Sequence, residues 1–158
     1  MMHPLTSSER RMTMRYLYNQ QNKFGNCFIL PNSIMQLDLS PLARLIYFYL
    51  VYIEDRKTYQ CYPSYKTIGK ALNIKSKGTV AKYVRELEDK CLIYTEPTEV
   101  ILKDGKKRNG NLKYTIRPIQ DALEHFYHEQ MQENALVMQR EKVAELLKDS
   151  GLNPIPAA

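Results

Sequence analysis

Two clusters of side chains in this chain have the types and spacing to do chemistry. The first runs Ser64, Tyr65, Lys66, then Lys75, Ser76, Lys77, Thr79, Lys82 and Arg85; the second is Lys103, Lys106, Lys107 and Arg108, with Lys113 close behind. Ammonium and guanidinium groups bind phosphate or carboxylate oxygens through charge-assisted hydrogen bonds, and hydroxyls add neutral donors. That chemistry is recognition of an anion, with no covalent bond made or broken. Bond-making groups are harder to assemble. A tyrosine beside a metal held by a His-hydrophobe-His pair can cut DNA, and the chain has 12 tyrosines, but its histidines are only His3, His125 and His128. His125 and His128 are three apart on one helix and could share a metal; with no Cys or carboxylate pattern to complete the site, an ordinary helix surface is the better reading. There is no Walker loop, GxSxG or HExxH. The expectation is no enzyme, no cofactor and no bound metal.

The first cluster requires two helices and a turn. In PSYKTIGKALNIKSKGTVAKYVRELEDKCLIY, from Pro63 to Tyr94, Ser64 would cap a short helix that turns Tyr65, Ile68 and Leu72 inward. A second helix would open near Ser76 and bury Val80, Val84, Leu87 and Cys91, which fall at i, i+4, i+7 and i+11 and so form one stripe. Gly78, Lys82 and Arg85 then face outward. A short helix, a turn and a helix with a small, cationic outer face have the geometry that enters a DNA major groove.

The second cluster requires a hairpin. An apolar run from Leu92 to Leu102 and an alternating LKYTIR from Leu112 to Arg117 read as strands, with KDGKKRNGNLK between them and Asp104-Gly105 and Asn109-Gly110 as turn signals. Helix, turn, basic-faced helix ending in ELEDKCLI and then a basic hairpin resembles a winged helix-turn-helix. The phrases LSPLARLIYFYL and CYPSYKTIGKALNI are similar to those in DNA-binding domains of replication initiators and small regulators of bacterial plasmids, phages and conjugative elements.

The resemblance covers roughly residues 28–117. It implies an α+β fold, mainly helical with a small antiparallel β-hairpin, and duplex DNA as the partner. Ser64, Tyr65 and Lys66 would then touch the DNA backbone. Ser76 and Thr79 would meet phosphates at a helix N-terminus, Lys75 and Lys77 would lie beside them, and Lys82 and Arg85 would read base edges, particularly guanine. Lys103, Lys106, Lys107 and Arg108 would track a phosphate strand or enter the minor groove. Two departures stand out: the family usually has Gly in the inter-helix turn and again before the LI strand, where this chain has Asn73 and Cys91. Asn tolerates a left-handed conformation; Cys does so less readily. The link from Ile74 to Thr79 is also one residue longer than usual.

Composition sets the bounds. The chain has 158 residues, 44% hydrophobic and 25% charged, which suits one domain with a core plus an appendage. A net charge of +6 favours a polyanionic partner. No apolar run reaches the roughly 18 residues needed to span a bilayer, and MMHPLTSSERRM has no signal-peptide core, so a cytoplasmic location away from membranes is expected. Cys27, Cys61 and Cys91 form no CxxC pair; they should be reduced, with Cys91 in the core.

Around the motif, Ser40-Pro41 should start a helix with Leu42, Leu45, Ile46, Tyr49 and Ile53 inward, although Tyr47, Phe48, Leu50 and Val51 make it apolar on nearly every side. Thr58 to Tyr62 reads as a strand joining the hairpin, Cys27 to Leu30 as another, and Ser33 to Leu37 as a brief helix. Residues 1–26 read as an arm, helix or strand, whose Arg10, Arg11 and Arg15 could reach the DNA backbone, although an ordinary solvated terminal segment is the better reading. The domain itself would span 27–118. Residues 119–149 read as one long helix with a drifting apolar side, fit either to pair with a second copy in a homodimer or to fold back on its own domain. Residues 150–158 read as a disordered tail. Truncation before Asp121 is expected to leave the domain folded.

The function expected is non-catalytic, sequence-specific binding of duplex DNA, as a regulator or as a replication or conjugation accessory factor with replication or transfer proteins as possible partners. A winged helix used only for protein–protein contact is the alternative. RNA binding has less support, because the chain lacks the RNP strands of an RRM and the GxxG loop of a KH domain.

Overall fold

A computed structural model describes residues 28–151. The N-terminal arm with its arginines, His3, Cys27 and residues 152–158 of the C-terminal tail lie outside the described residues; Ser150 is described and its hydroxyl donates to the Leu146 carbonyl at 2.7 Å.

Apolar periodicity and caps build the helices. After a 3-10 turn at Asn32–Met35, helix α1 spans Pro41–Ile53, followed by strand β1 (Gln60–Cys61), α2 (Tyr65–Leu72), α3 (Lys77–Asp89), β2 (Ile93–Glu96), β3 (Glu99–Ile101), β4 (Lys107–Asn109), β5 (Lys113–Ile116) and α4 (Ile119–Asp149). This is the mainly helical α+β class, a winged helix-turn-helix followed by a long helix. β5 is the centre of an antiparallel sheet of order β1-β5-β2, and β3 pairs with β4 as a separate ribbon.

The core lies between α1, α2, α3 and the inner face of the three-stranded sheet, with Ile46, Leu50, Ile68, Val80, Leu87, Leu92 and Tyr114 fully buried. α1 begins with its proline as expected, but Ser40 gives no side-chain cap. Its backbone N–H donates instead to Glu86 Oε1 of α3, 2.7 Å away. The inward face of α1 differs from the expected stripe: Ala43, Ile46, Tyr47, Leu50 and Val51 are buried, and Leu45 is exposed. A helix apolar all round carries no periodic signal to choose a face, so packing against α2, α3 and β5 chose it.

Both helices of the motif end in left-handed residues. Ser64 Oγ accepts from the Thr67 N–H at 3.0 Å to open α2, and Asn73 closes it at φ 56° with the Ile74 N–H donating to the Gly69 carbonyl. A Cβ at Gly69 would sit 2.6 Å from the Ile74 carbonyl oxygen, which is why this tight turn needs a glycine. α3 stops at Asp89. Cys91 takes φ 58°, its N–H donates to the Glu88 carbonyl, and the Leu92 N–H reaches back to the Leu87 carbonyl. This pair of bonds is a Schellman closure, and a left-handed Cys there costs about 1 kcal/mol relative to Gly. The reversal takes Cys91 off the stripe of Val80, Val84 and Leu87. It is half-buried rather than core, Leu92 takes the buried place, and Cys61 is the buried thiol.

The wing also departs from expectation. The apolar run that starts at Leu92 breaks at Pro97, and β3 is exposed throughout. Asp104-Gly105 is the tip turn, with Gly105 at φ 78°. Asn109-Gly110 is no turn: between the pairs Glu96↔Lys113 and Glu99↔Asn109, Gly110, Asn111 and Leu112 oppose only Pro97 and Thr98. The extra residue is a β-bulge. The Gly110 N–H donates to the Thr98 carbonyl at 2.6 Å, and a side chain at Gly110 would collide with the Thr98 hydroxyl. The strand expected at Thr58–Tyr62 narrows to Gln60–Cys61. Residues 28–30 form no strand, and the expected helix at Ser33–Leu37 is the shorter 3-10 turn.

α4 has 31 residues, about 46 Å at 1.5 Å per residue. Ile119 and Ala122 are in the core, Leu123 and Phe126 pack against it, and the Lys90–Glu129 ion pair at 2.8 Å ties α4 to the end of α3. Beyond Gln130 every residue to Gly151 is exposed except Ala144 and Leu147, which are half-buried. The helix therefore docks by its first three turns and is not folded back along its length.

Candidate nucleic-acid interface

From Ser64 to Arg85 the chain contains no carboxylate and six cations: Lys66, Lys70, Lys75, Lys77, Lys82 and Arg85. All six are exposed, because the apolar stripes of α2 and α3 are spent on the core and leave the opposite faces to solvent. Lys66, Lys70, Lys75 and Lys77 line one shallow groove between α2 and the start of α3, beside Tyr65 and Asn73. Lys82 and Arg85 line a second groove on the outer face of α3 with Gly78 and Ala81, and Glu86, Asp89 and Lys90 complete its lining. Sequence reading missed Lys70, although its position four residues after Lys66 on α2 puts both on one face.

The expected contact residues do not all stand alike. The Ser64 hydroxyl is occupied by capping and by a 2.8 Å hydrogen bond with the Thr67 hydroxyl. Tyr65 is half-buried against the core, and burial, with the Glu88 carboxylate adding to it, pushes its phenol above the ordinary range. Ser76 is exposed at the N-cap of α3 with its side chain uncommitted to capping, and Thr79 is half-buried one turn on. Lys82 Nζ lies 5.4 Å from the centre of the Tyr83 ring, a cation–π contact that holds the ammonium on the outer face.

The cationic surface of α3 ends at Arg85. Glu86 is bound to the Ser40 N–H, Asp89 is exposed, and Lys90 is engaged by Glu129. Glu86 and Lys90 thereby tie α3 to the residue before α1 and to α4. Nothing in the local sequence pairs Glu86 with Ser40 or Lys90 with Glu129, so periodicity could not have found them.

On the wing, Lys103, Lys106, Lys107 and Arg108 are exposed. Lys107 pairs with Glu99 at 3.0 Å, and Lys113 pairs with Glu96 beside the three-stranded sheet. The remaining titratable groups lie elsewhere. Burial, reinforced by Glu54, pushes the Cys61 thiol up to about 12, which leaves it a poor nucleophile. His125 Nδ1 is 3.6 Å from Glu129 Oε2, and among the described residues no group of three or more His, Cys, Asp or Glu could hold a metal. No helix among them is long and apolar enough to cross a membrane.

No curated protein matches the chain significantly. Two solved structures of S. aureus MepR mutants, one with arginine and one with lysine in place of a glycine, are each 20% identical to it. They cover 93% and 94% of this chain and 95% and 98% of their own, with TM-scores of 0.35 and 0.36. Scores that low assign neither fold nor function. Residues 37–93 match a family model described as a helix-turn-helix domain. That match runs from the residues before α1 to the first residue of β2, so it covers the segment that carries the six cations and leaves the wing and all of α4 outside it; over that span the chain is similar to a helix-turn-helix domain.

Proposed function

We propose that this chain binds duplex DNA sequence-specifically and without catalysis, with α3 in the major groove. The observation that carries this reading is the acid-free run from Ser64 to Arg85, whose six cations all reach solvent from a helix-turn-helix. Arg85 and Lys82 read base edges, Lys66, Lys70, Lys75 and Lys77 grip phosphates with Ser76 and Thr79, and the wing adds further backbone contacts. A single unit reads only a few base pairs, so two copies on paired half-sites give useful specificity. The exposed apolar side chains of distal α4, Met131, Leu136, Met138, Val143 and Leu146, support pairing with a second copy. The resemblance in the sequence favours a cytoplasmic regulator or a replication or conjugation accessory factor of a bacterial mobile element.

Titration of the full chain against a labelled duplex tests the reading. Contacts to about 5–8 phosphates give a log–log salt slope of about −4 to −7. Arg85→Ala is expected to cost about 1–3 kcal/mol, mainly on the preferred site chosen from random DNA. No binding at low salt, or a slope near zero, would instead favour a protein–protein module.

A further inference from the structure

The wing has two unlike faces. The pairs Glu99↔Asn109, Val100↔Arg108 and Ile101↔Lys107 fix the register of β3 and β4. The Leu102 N–H donates to the Lys106 carbonyl at 2.9 Å and extends the ladder by one step. Directly paired residues project to the same side and successive residues alternate. Glu99, Ile101, Lys107 and Asn109 therefore share one face, and Val100, Leu102, Lys106 and Arg108 share the other. The Lys107–Glu99 ion pair, diagonal across the ribbon, agrees with that assignment. So does Gly110, whose added Cβ would lie 3.1 Å from Val100 Cγ2 on the second face.

The charge divides accordingly. The first face carries one cation and one carboxylate in contact beside the exposed Ile101, and a phosphate approaching Lys107 also meets Glu99. The second face carries two cations and no carboxylate, beside the exposed side chains of Val100 and Leu102.

Resting on the reading that the chain binds duplex DNA, we propose that the wing meets DNA with the face of Val100, Leu102, Lys106 and Arg108. Arg108 and Lys106 take phosphates, and the two apolar side chains lie against the deoxyribose edge, which is itself apolar. Lys107 stays turned from the duplex, held by Glu99. The three cations at the tip, adjacent in sequence, thus have different parts to play.

The test uses the full chain and a fluorescein-labelled duplex of mixed sequence, roughly 30 bp or three helical turns, titrated at several salt concentrations. Arg108→Ala and Lys106→Ala are each expected to weaken binding about three- to tenfold and to reduce the salt slope by about 0.9, the signature of one lost phosphate contact. Lys107→Ala should weaken it less than about twofold with the slope unchanged. Glu99→Gln leaves the duplex-facing side untouched and should alter affinity by less than about twofold. Circular dichroism checks that each exposed-site variant is folded. Equal losses for Lys107→Ala and Arg108→Ala, or losses larger for Lys107→Ala, overturn the face assignment. The double variant K82A/R85A separates the two levels: if it binds like the wild type, or the wild type does not bind, the DNA reading itself fails and the wing assignment falls with it.

Discussion

The helix-turn-helix core and the distal half of α4 are both rich in apolar side chains, yet one hides them and the other displays them. In α2 and α3 the apolar residues repeat on one stripe, and Ile68, Val80, Val84 and Leu87 are at most 1% exposed. In α4 beyond Gln130 the apolar residues wander around the helix, and Met131, Met138 and Leu146 are at least 60% exposed. The difference shows what periodicity does. A coherent stripe has somewhere to pack within its own domain, whereas a drifting one on a helix about 46 Å long runs past the edge of the domain.

The largest expected effect breaks the comparison directly. Leu87→Ala should cost about 2–5 kcal/mol in urea unfolding, because it empties a fully buried site. Leu146→Ala should cost within about 0.5 kcal/mol when the chain is dilute enough to be monomeric. Similar losses for both would mean distal α4 is buried on its own domain in solution.

A second experiment sharpens it. Removing everything after Gln130 should turn a dimer into a monomer in sedimentation and weaken binding to a selected site about 100-fold, or about 2.8 kcal/mol, with the fold intact. The cut belongs there and not before Asp121, where truncation would remove Ala122, Leu123, Phe126 and Glu129 and open the core. A clean monomer before truncation would rule out pairing through α4.

The smallest effect lies inside the core region. Burial holds the Glu54 carboxyl up at about 7, against an ordinary 4.5, while Arg56 works in the opposite direction. In that window the folded chain keeps a proton that the unfolded chain has released. Stability should therefore be fullest below about pH 4.5 as far as this group is concerned, and fall as pH rises towards about 7. Glu54→Gln should flatten the decline in thermal unfolding followed across that range; an unchanged profile would mean that Glu54 is solvated.

The same contrast separates what was legible in the sequence from what was not. The α2–α3 unit could be read because Ser64, the inward stripe and the outward lysines follow from local rules, and Asn73 and Cys91 stood where left-handed residues were required. The face of α1 could not, since a helix apolar all round leaves the choice to its neighbours. Wing alternation also failed as a guide. The bulge at Gly110, Asn111 and Leu112 shifts the register, so counting back from Lys113 does not give the side on which Lys107 or Arg108 lies.

The sequence by itself determined the helices of the motif, the Ser64 cap, the cationic surface they present and the presence of a wing, because each depends on residues within a few positions of one another. Only the tertiary structure decided which face of α1 is buried, how far α4 docks, and which partners Glu86, Lys90 and Glu99 take. Those outcomes depend on contacts between residues distant in the chain, such as Glu86 with Ser40 and Lys90 with Glu129, or on strand register. Neither kind of information is carried by spacing along the chain.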